Sequence, residues 1–356
     1  MSMTQEIKNL LKDGAFIPAH PLALNKDKSL DEESQRMLTH YYIDSGVDGI
    51  AVGVHTTQFE IRDREFNLYE TVLRIASEEI EKRKIDRSFI KIAGICGETP
   101  QALSEIDIAI KYGYHMALVS LGGMSDKTES ELLDHVRILA QKIPVFGFYL
   151  QPSAGGRIFS FEFWREFMNI EGVCAVKAAP FNRYQTHDIM RAICLSDRID
   201  DIAVYTGNDD NIIADLLTPY TCVNKQGDLV EKHFSGGLLG HWSVWTHSAV
   251  KYFKEIKIAQ KTGLDYSKLL KLGTQITDAN SAFFDQRNQF QGSISGINEV
   301  LARSGLMQSN LCLAEREVLS QGQREDIDRV HAAYPDLTDD SFIKDHLDYW
   351  RMISKK

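Results

Sequence analysis

Eight short apolar runs, each separated from the next by a longer stretch, constrain this chain more than any other feature. They are Ala15–Pro18, Gly49–Val54, Ile90–Ile95, Met116–Leu121, Val145–Tyr149, Val173–Val176, Ile202–Tyr205 and Leu238–Trp242. Runs this short and largely apolar suit strands buried on both faces. Between most of them lie helical patterns, such as Glu32–Ser45, Glu65–Lys82, Ala102–Tyr112, Glu129–Lys142 and Phe161–Met168. Eight alternations of this kind predict parallel strands closed into a (β/α)8 barrel. A doubly wound open sheet is the alternative, but no GxGxxG follows the first run. Residues 251–356 lose the strand signal, and Tyr252–Gln260, Lys268–Asn288 and Arg324–Ala333 read as helices. The expected organisation is a barrel over residues 1–250 with a C-terminal helical extension over 251–356. Asn-Lys-Gln-Gly-Asp inside Val223–His233 predicts a small hairpin before the eighth strand.

Composition narrows the function. A formal net charge of −10 argues against a nucleic-acid surface. No apolar run reaches the ~20 residues that span a bilayer, and Met1–Gly14 lacks the apolar core of a secretory signal. Five dispersed cysteines without CxxC spacing point to a reducing, cytoplasmic setting.

Lys177 is the single residue most informative about function. It follows the apolar run Val173–Val176. A lysine at the mouth of a buried strand has a poorly solvated ammonium, which lowers its pKa and makes the free amine available as a nucleophile. A neutral amine beside a ketone forms an imine. The bland alternative is a lysine that ends a strand and reaches to water.

Barrel active sites form where strands end and the following loops begin. Those positions hold His20 after the first strand, His55, Thr56 and Thr57 after the second, and Glu98 after the third. The fifth delivers Tyr149, the sixth Lys177, the seventh Asn208, Asp209 and Asp210, and the eighth His241. Strands five and six should be neighbours, so Tyr149 and Lys177 are expected to share one mouth, where a phenol can shuttle protons for an imine. Thr56 and Thr57 offer hydroxyls and backbone N–H groups suited to a small carboxylate.

Seven motifs, in order, resemble the dihydrodipicolinate synthase / N-acetylneuraminate lyase family of Schiff-base aldolases. They are Ala-His-Pro-Leu (19–22) with Lys-Ser-Leu-Asp (28–31), Gly-Val-Asp-Gly-Ile (46–50) with Thr56-Thr57, Ile-Ala-Gly-Ile-Cys-Gly-Glu-Thr from Ile92, Tyr149-Leu-Gln-Pro-Ser, Val176-Lys177-Ala-Ala, Thr206-Gly207-Asn208-Asp209, and Gly237-Leu-Leu-Gly-His-Trp-Ser243. The resemblance implies a (β/α)8 barrel with a helical C-terminal region, assembled as a homo-oligomer, dimer or tetramer, that needs no metal or other cofactor. It implies that Lys177 forms the imine with a 2-oxo acid such as pyruvate, that Tyr149 is the proton shuttle, and that Thr56 and Thr57 hold the carboxylate. Gly207, Trp242, His20 and His55 complete the expected substrate-binding set.

Several positions depart from the family pattern. Gln58-Phe59 stands where Gly-Glu is usual, and His55 replaces the preceding glycine. Leu121-Gly122-Gly123 occupies the place of a relay tyrosine, and Ala154 that of an arginine that binds the aldehyde's carboxylate, with Arg157 three residues on. These changes weigh against the dihydrodipicolinate synthase reaction and leave the second substrate, an aldehyde, open. A 2-oxo acid dehydratase using the same imine is one alternative. Another is a metal-dependent barrel hydrolase built on His20, His55, His241 and Asp209 or Asp210, although the first strand lacks an H-x-H pair. A binding protein that keeps the fold without turnover is a third.

Overall fold

The computed structural model describes residues 3–263 and 266–355. Its strands are β1 (Phe16–Pro18), β2 (Gly49–Val52), β3 (Ile90–Ile95), β4 (Met116–Val119), β5 (Val145–Leu150), β6 (Val173–Ala179), β7 (Ala203–Thr206), β8 (Tyr220–Val223), β9 (Leu229–Lys232) and β10 (Gly236–Leu239). Eight form one sheet in the order β1-β10-β7-β6-β5-β4-β3-β2. A parallel bridge between Ala19 and Ala51 joins the chain just beyond the two outermost strands, so the sheet is a nearly closed barrel. The expected (β/α)8 barrel with C-terminal helices is therefore borne out. Nearly every residue of these eight strands is buried, as strands packed on both faces require. β8 and β9 pair antiparallel as the predicted hairpin, its tip held by Asn224 Oδ1, which accepts from the Gln226 and Asp228 amides.

The chain divides into two compact units that interleave in sequence. The first comprises Met1–Ala15 and Ser88–Leu238. Its helix Gln5–Asp13 starts at a Thr4 side-chain cap and buries Ile7 and Leu11. The Tyr205 hydroxyl ties that helix down, donating to the Leu11 carbonyl and accepting from the Ala15 amide. The helix Glu129–Ala140 opens on a capping box in which Thr128 and Glu131 satisfy each other's backbone amides.

β6 runs further than its apolar run suggests. It continues through Lys177 to Ala179, because the small side chains of Ala178 and Ala179 allow pairing with Tyr149 and Leu150 to go on. Lys177 thus lies inside a strand, not at its end. The β5–β6 pairing also contains a one-residue irregularity. Val145 pairs with Val173, but Phe146 pairs with Ala175, leaving Cys174 as the extra residue. From there Phe148 is opposite Lys177 and Tyr149 opposite Ala178. A one-residue slip moves every later side chain to the other face.

The second unit comprises Phe16–Arg87 and Leu239–Lys356. Its centre is the helix Glu32–Ser45, which is buried almost all round by Tyr69–Lys82 and Asp340–Ser354. The Tyr41 hydroxyl donates to Asp339 and accepts from the Thr246 amide, and Trp350 donates its indole N–H to Asp44. The ion pair of Arg36 with Glu79 is buried in the same unit, with His40 on the other Glu79 oxygen. The C-terminal helices are thereby fastened to the second unit's own core by specific polar contacts as well as by apolar packing.

Candidate active site

In the first unit, the Lys177 side chain lies along a floor made by glycine. A Cβ on Gly207 would stand 2.4 Å from Lys177 Cε and 3.0 Å from its Cγ, so only glycine leaves room for the stem. The Gly207 amide donates to the Ala178 carbonyl, which fixes this approach. The Lys177 Nζ sits 4.4 Å from the centroid of the Phe148 ring. Burial pushes its pKa from 10.5 down to about 8, against an opposing pull from the Asp209 carboxylate. At pH 7 about one such amine in ten is neutral, against about one in three thousand for an unperturbed lysine. The amine is therefore buried and partly neutral near pH 7.

The loop after β7 is held by a lattice around Asp215, itself fully buried. Asp215 accepts from Thr206 Oγ1 at 2.7 Å, Asn208 Nδ2 at 2.9 Å, Asn211 Nδ2 at 3.0 Å and from Arg183. Asn208 also accepts from the Phe181 amide at 3.0 Å, in the loop that follows β6. The two loops flanking Lys177 are thus bolted together, and Asp209 lies between Asn208 and Asp210 on the β7 side, almost fully buried.

Tyr149 is not where the sequence placed it. Its ring packs on Phe159 and on Trp164 of the helix Phe161–Phe167, with centroids 5.9 and 5.0 Å away. Gly147, two residues earlier on the same face, abuts Phe167 of that helix. The irregularity at Cys174 is the reason: it turns Phe148 to the lysine face and Tyr149 to the helix layer. Among the described residues the Tyr149 hydroxyl makes no well-formed hydrogen bond, and the Phe159 backbone lies near it.

Two other departures have local explanations in this unit. A Cβ on Gly122 would stand 1.8 Å from the Gly155 carbonyl oxygen, so the loops after β4 and β5 touch where a relay tyrosine was absent. Arg157 donates to the carbonyls of Met124 and Lys127 and lies over Phe159, which engages it in holding the loop.

In the second unit, several of the expected binding residues are committed to contacts within the protein. The Thr57 hydroxyl donates to the His20 carbonyl at 2.7 Å and accepts from the Gly53 and Val54 amides. It is a loop anchor, contrary to its expected role as a carboxylate donor. The neighbouring Thr56 has no such engagement among the described residues and is nearly buried. Gln58, in a left-handed conformation (φ 69°), stands where a glycine was expected. Its side chain accepts from the Leu313 amide at 2.6 Å and fastens the C-terminal segment beside the threonine loop.

His20 is a core residue. Its Nδ1 lies 2.9 Å from the Pro21 carbonyl and 3.0 Å from Gln35 Nε2, and its Nε2 3.0 Å from Thr39 Oγ1. Burial drives its pKa down to about 4, so the ring is neutral, with both nitrogens in contact with protein groups. That removes it from both the substrate-binding and the metal-ligand sets. Trp242 is likewise core: it stacks on Phe16 with centroids 3.7 Å apart and donates to the Tyr252 hydroxyl. His55 is partly exposed and packs edge-on against Phe59.

Sequence comparison decides the family. The profile of the Dihydrodipicolinate synthetase family matches residues 14–331. The chain belongs to this family. It is 26% identical over 204 residues to the N-acetylneuraminate lyase of Citrobacter koseri, an alignment that covers 56% of this chain and 64% of that lyase, less than two thirds of its length. The fold is shared with dihydrodipicolinate synthase from Oceanobacillus iheyensis (TM-score 0.73, 13% identity, 92% of this chain and 99% of that one). It is also shared with N-acetylneuraminate lyase from Fusobacterium nucleatum (TM-score 0.69, 19% identity, 91% and 99%). A third relative in fold is the chloride-inhibited dihydrodipicolinate synthase of Acinetobacter baumannii, a structure complexed with pyruvate (TM-score 0.69, 18% identity, 91% and 98%).

Two residues that act on the lysine, Phe148 through its ring and Asp209 through its charge, were missing from the expected set. Phe148 has no sequence signal, because the irregularity that exposes it to Lys177 is invisible in the apolar pattern. Asp209 was visible as a strand-end carboxylate, but nothing in its spacing distinguished it from Asn208 and Asp210.

Proposed function

We propose that this protein is a Schiff-base lyase that acts on a 2-oxo acid, pyruvate or a close analogue, through an imine on Lys177. The observation that carries this reading is the buried amine of Lys177, laid on Gly207 with its pKa lowered, in the Val176-Lys177-Ala-Ala motif that resembles the family's imine-lysine strand. In the imine the protonated nitrogen withdraws electrons from the adjacent carbon. That stabilises the enamine left when a carbon–carbon bond breaks, or the one that condenses with an aldehyde. Thr56 is assigned the 2-oxo acid carboxylate, through its hydroxyl and backbone. Action in the cytoplasm as a dimer or tetramer is part of the same reading.

The engagement of Arg157, three residues past Ala154, with the Met124 and Lys127 carbonyls favours an aldehyde without a second carboxylate. Dehydration through the same imine is the second reading, since it uses the same lysine. The test needs no second substrate. Pyruvate in deuterium oxide should lose its methyl protons to exchange when the protein is added, as the enamine forms and reverts. Lys177→Met should abolish this. No exchange with pyruvate or any longer 2-oxo acid would refute the proposal, and an aldehyde panel then separates condensation from dehydration.

A further inference from the structure

We propose that Gln58 is a further substrate-binding residue, its side-chain amide donating to the carboxylate of the 2-oxo acid held at Thr56. This rests on the Schiff-base reading above and deepens it at the carboxylate end, within the second unit. Gln58 is 1% exposed, and among the described residues its Nε2 has no hydrogen-bond partner. An amide nitrogen shut away from water and left unpaired is costly, so native proteins seldom keep one without a use.

The other amide atom fixes which way this donor faces. Gln58 Oε1 accepts from the Leu313 amide at 2.6 Å. The Leu313 N–H can only donate, so the oxygen must meet it and the nitrogen must point elsewhere. Carbonyls of the same neighbourhood are already engaged. That of Leu313 accepts from Lys28 Nζ at 2.9 Å, and that of Leu24 from Ser309 Oγ at 3.1 Å. These bonds strap residues 309–313 to the loops after β1 and β2. The backbone is held as well, the Gln58 amide donating to the His55 carbonyl at 2.9 Å. With φ 69° and ψ 128°, Gln58 occupies a region that glycine enters freely and a residue with a side chain enters under strain. The glycine usual at this place in the family pattern would avoid the strain and would offer no donor.

Gln58 closes the short helical turn His55–Thr57, which carries Thr56. In that turn the Thr57 hydroxyl is spent on the His20 carbonyl and on the Gly53 and Val54 amides. Thr56 and the Gln58 nitrogen are the buried donors that the loop keeps for an incoming group. A carboxylate accepts only, and its two oxygens can take one bond from each. The strap thereby acts on binding through Gln58, because the bond from Leu313 is what aims the nitrogen.

The experiment measures C3 proton exchange at increasing pyruvate, and its inhibition by pyruvamide, in which an amide replaces the carboxylate. It compares wild type, Gln58→Glu, Gln58→Met and Lys28→Met. Gln58→Glu keeps an oxygen for the Leu313 amide and turns the donor into an acceptor that repels a carboxylate. Half-saturating pyruvate should rise about ten- to a hundredfold, the worth of one hydrogen bond to a charged group. The plateau rate should stay within a few-fold of wild type. Pyruvamide can donate its own N–H, so its inhibition should weaken less and the preference for the acid should narrow. Gln58→Met offers neither atom and should narrow it too, with a lower melting temperature. Lys28→Met loosens the strap without touching the donor, so it should lower the melting temperature and keep the preference. If Gln58 only anchors the strap, or its nitrogen holds a buried water, both Gln58 variants will keep the wild-type preference, and the proposal is overturned. Loss of preference in Lys28→Met equal to that in Gln58→Met would overturn it as well. Absence of exchange in the wild type would instead sink the Schiff-base reading itself.

Discussion

The Lys177 amine nitrogen lies 4.4 Å from the centre of the Phe148 ring, on the neighbouring strand. A ring face attracts an ammonium by about 0.5–2 kcal/mol and a neutral amine much less. Phe148 therefore opposes the desolvation that lowers the Lys177 pKa. Phe148→Leu keeps the site apolar and removes the ring. The pH at which C3 exchange reaches half its plateau should move down from about 8 by roughly half a unit to one unit. An unmoved or alkaline-shifted midpoint would show that the ring does not act on the amine.

The position of Phe148 shows what the sequence could and could not reveal. Eight strands were legible because burial on both faces leaves an uninterrupted apolar run, and the hairpin because Asn-Lys-Gln-Gly-Asp marks its turn. The spacing of Tyr149 from Lys177 equals that of Val145 from Val173, which do pair, so an uninterrupted ladder would have put the tyrosine opposite the lysine. One extra residue, Cys174, breaks that ladder. A bulge leaves no mark in composition or periodicity, and it reverses which residues face the site. The core roles of His20 and Trp242 were hidden for a related reason: both follow strands, but Thr39, Gln35 and Tyr252 on the helices are what hold their polar atoms.

Gly207→Ala tests how closely the site is built. The added methyl would meet Lys177 Cε at 2.4 Å and Ala179 Cβ at 2.8 Å. Overpacking of this kind costs about 1–3 kcal/mol, which a domain can survive, but the lysine stem must move aside. Misplacement by about an ångström can cost on the order of a hundredfold in rate. C3 exchange should therefore fall by about that factor, with far-ultraviolet circular dichroism unchanged. Full activity in this variant would mean that the stem does not rest on Gly207.

Thr56→Val and Thr57→Val should separate binding from folding. Thr57 supports the loop through three hydrogen bonds, so its loss should lower stability by about 1–3 kcal/mol, read as a lower urea midpoint. Thr56→Val should leave the midpoint in place and weaken pyruvate binding by about ten- to a hundredfold, the worth of one hydrogen bond to a charged group. If the two effects are interchanged, the assignment of the carboxylate to Thr56 is wrong.

Burial of Lys177 also links stability to pH. The folded-state pKa of about 8 lies below the ordinary 10.5. Below about pH 8 both states are protonated, and the fold carries the full cost of a poorly solvated ammonium. Between about 8 and 10.5 the unfolded chain binds more protons, so that cost is relieved as pH rises. Lys177→Met should accordingly be more stable than wild type at pH 7, by up to about 3 kcal/mol. The difference should shrink by pH 10. Equal melting curves at pH 7, or a gap that widens with pH, would contradict the buried-ammonium account.

Reduction in place shows whether Lys177 is the residue that becomes covalently bound to the 2-oxo acid. Pyruvate and borohydride, followed by proteolysis and tandem mass spectrometry, should leave one reduced adduct, on the peptide containing Lys177. Lys91, whose Nζ donates to the Tyr112 carbonyl, should be unmodified, and Lys177→Met should acquire no adduct. An adduct on another lysine, or an active enzyme that borohydride and pyruvate together neither label nor inactivate, would contradict the account.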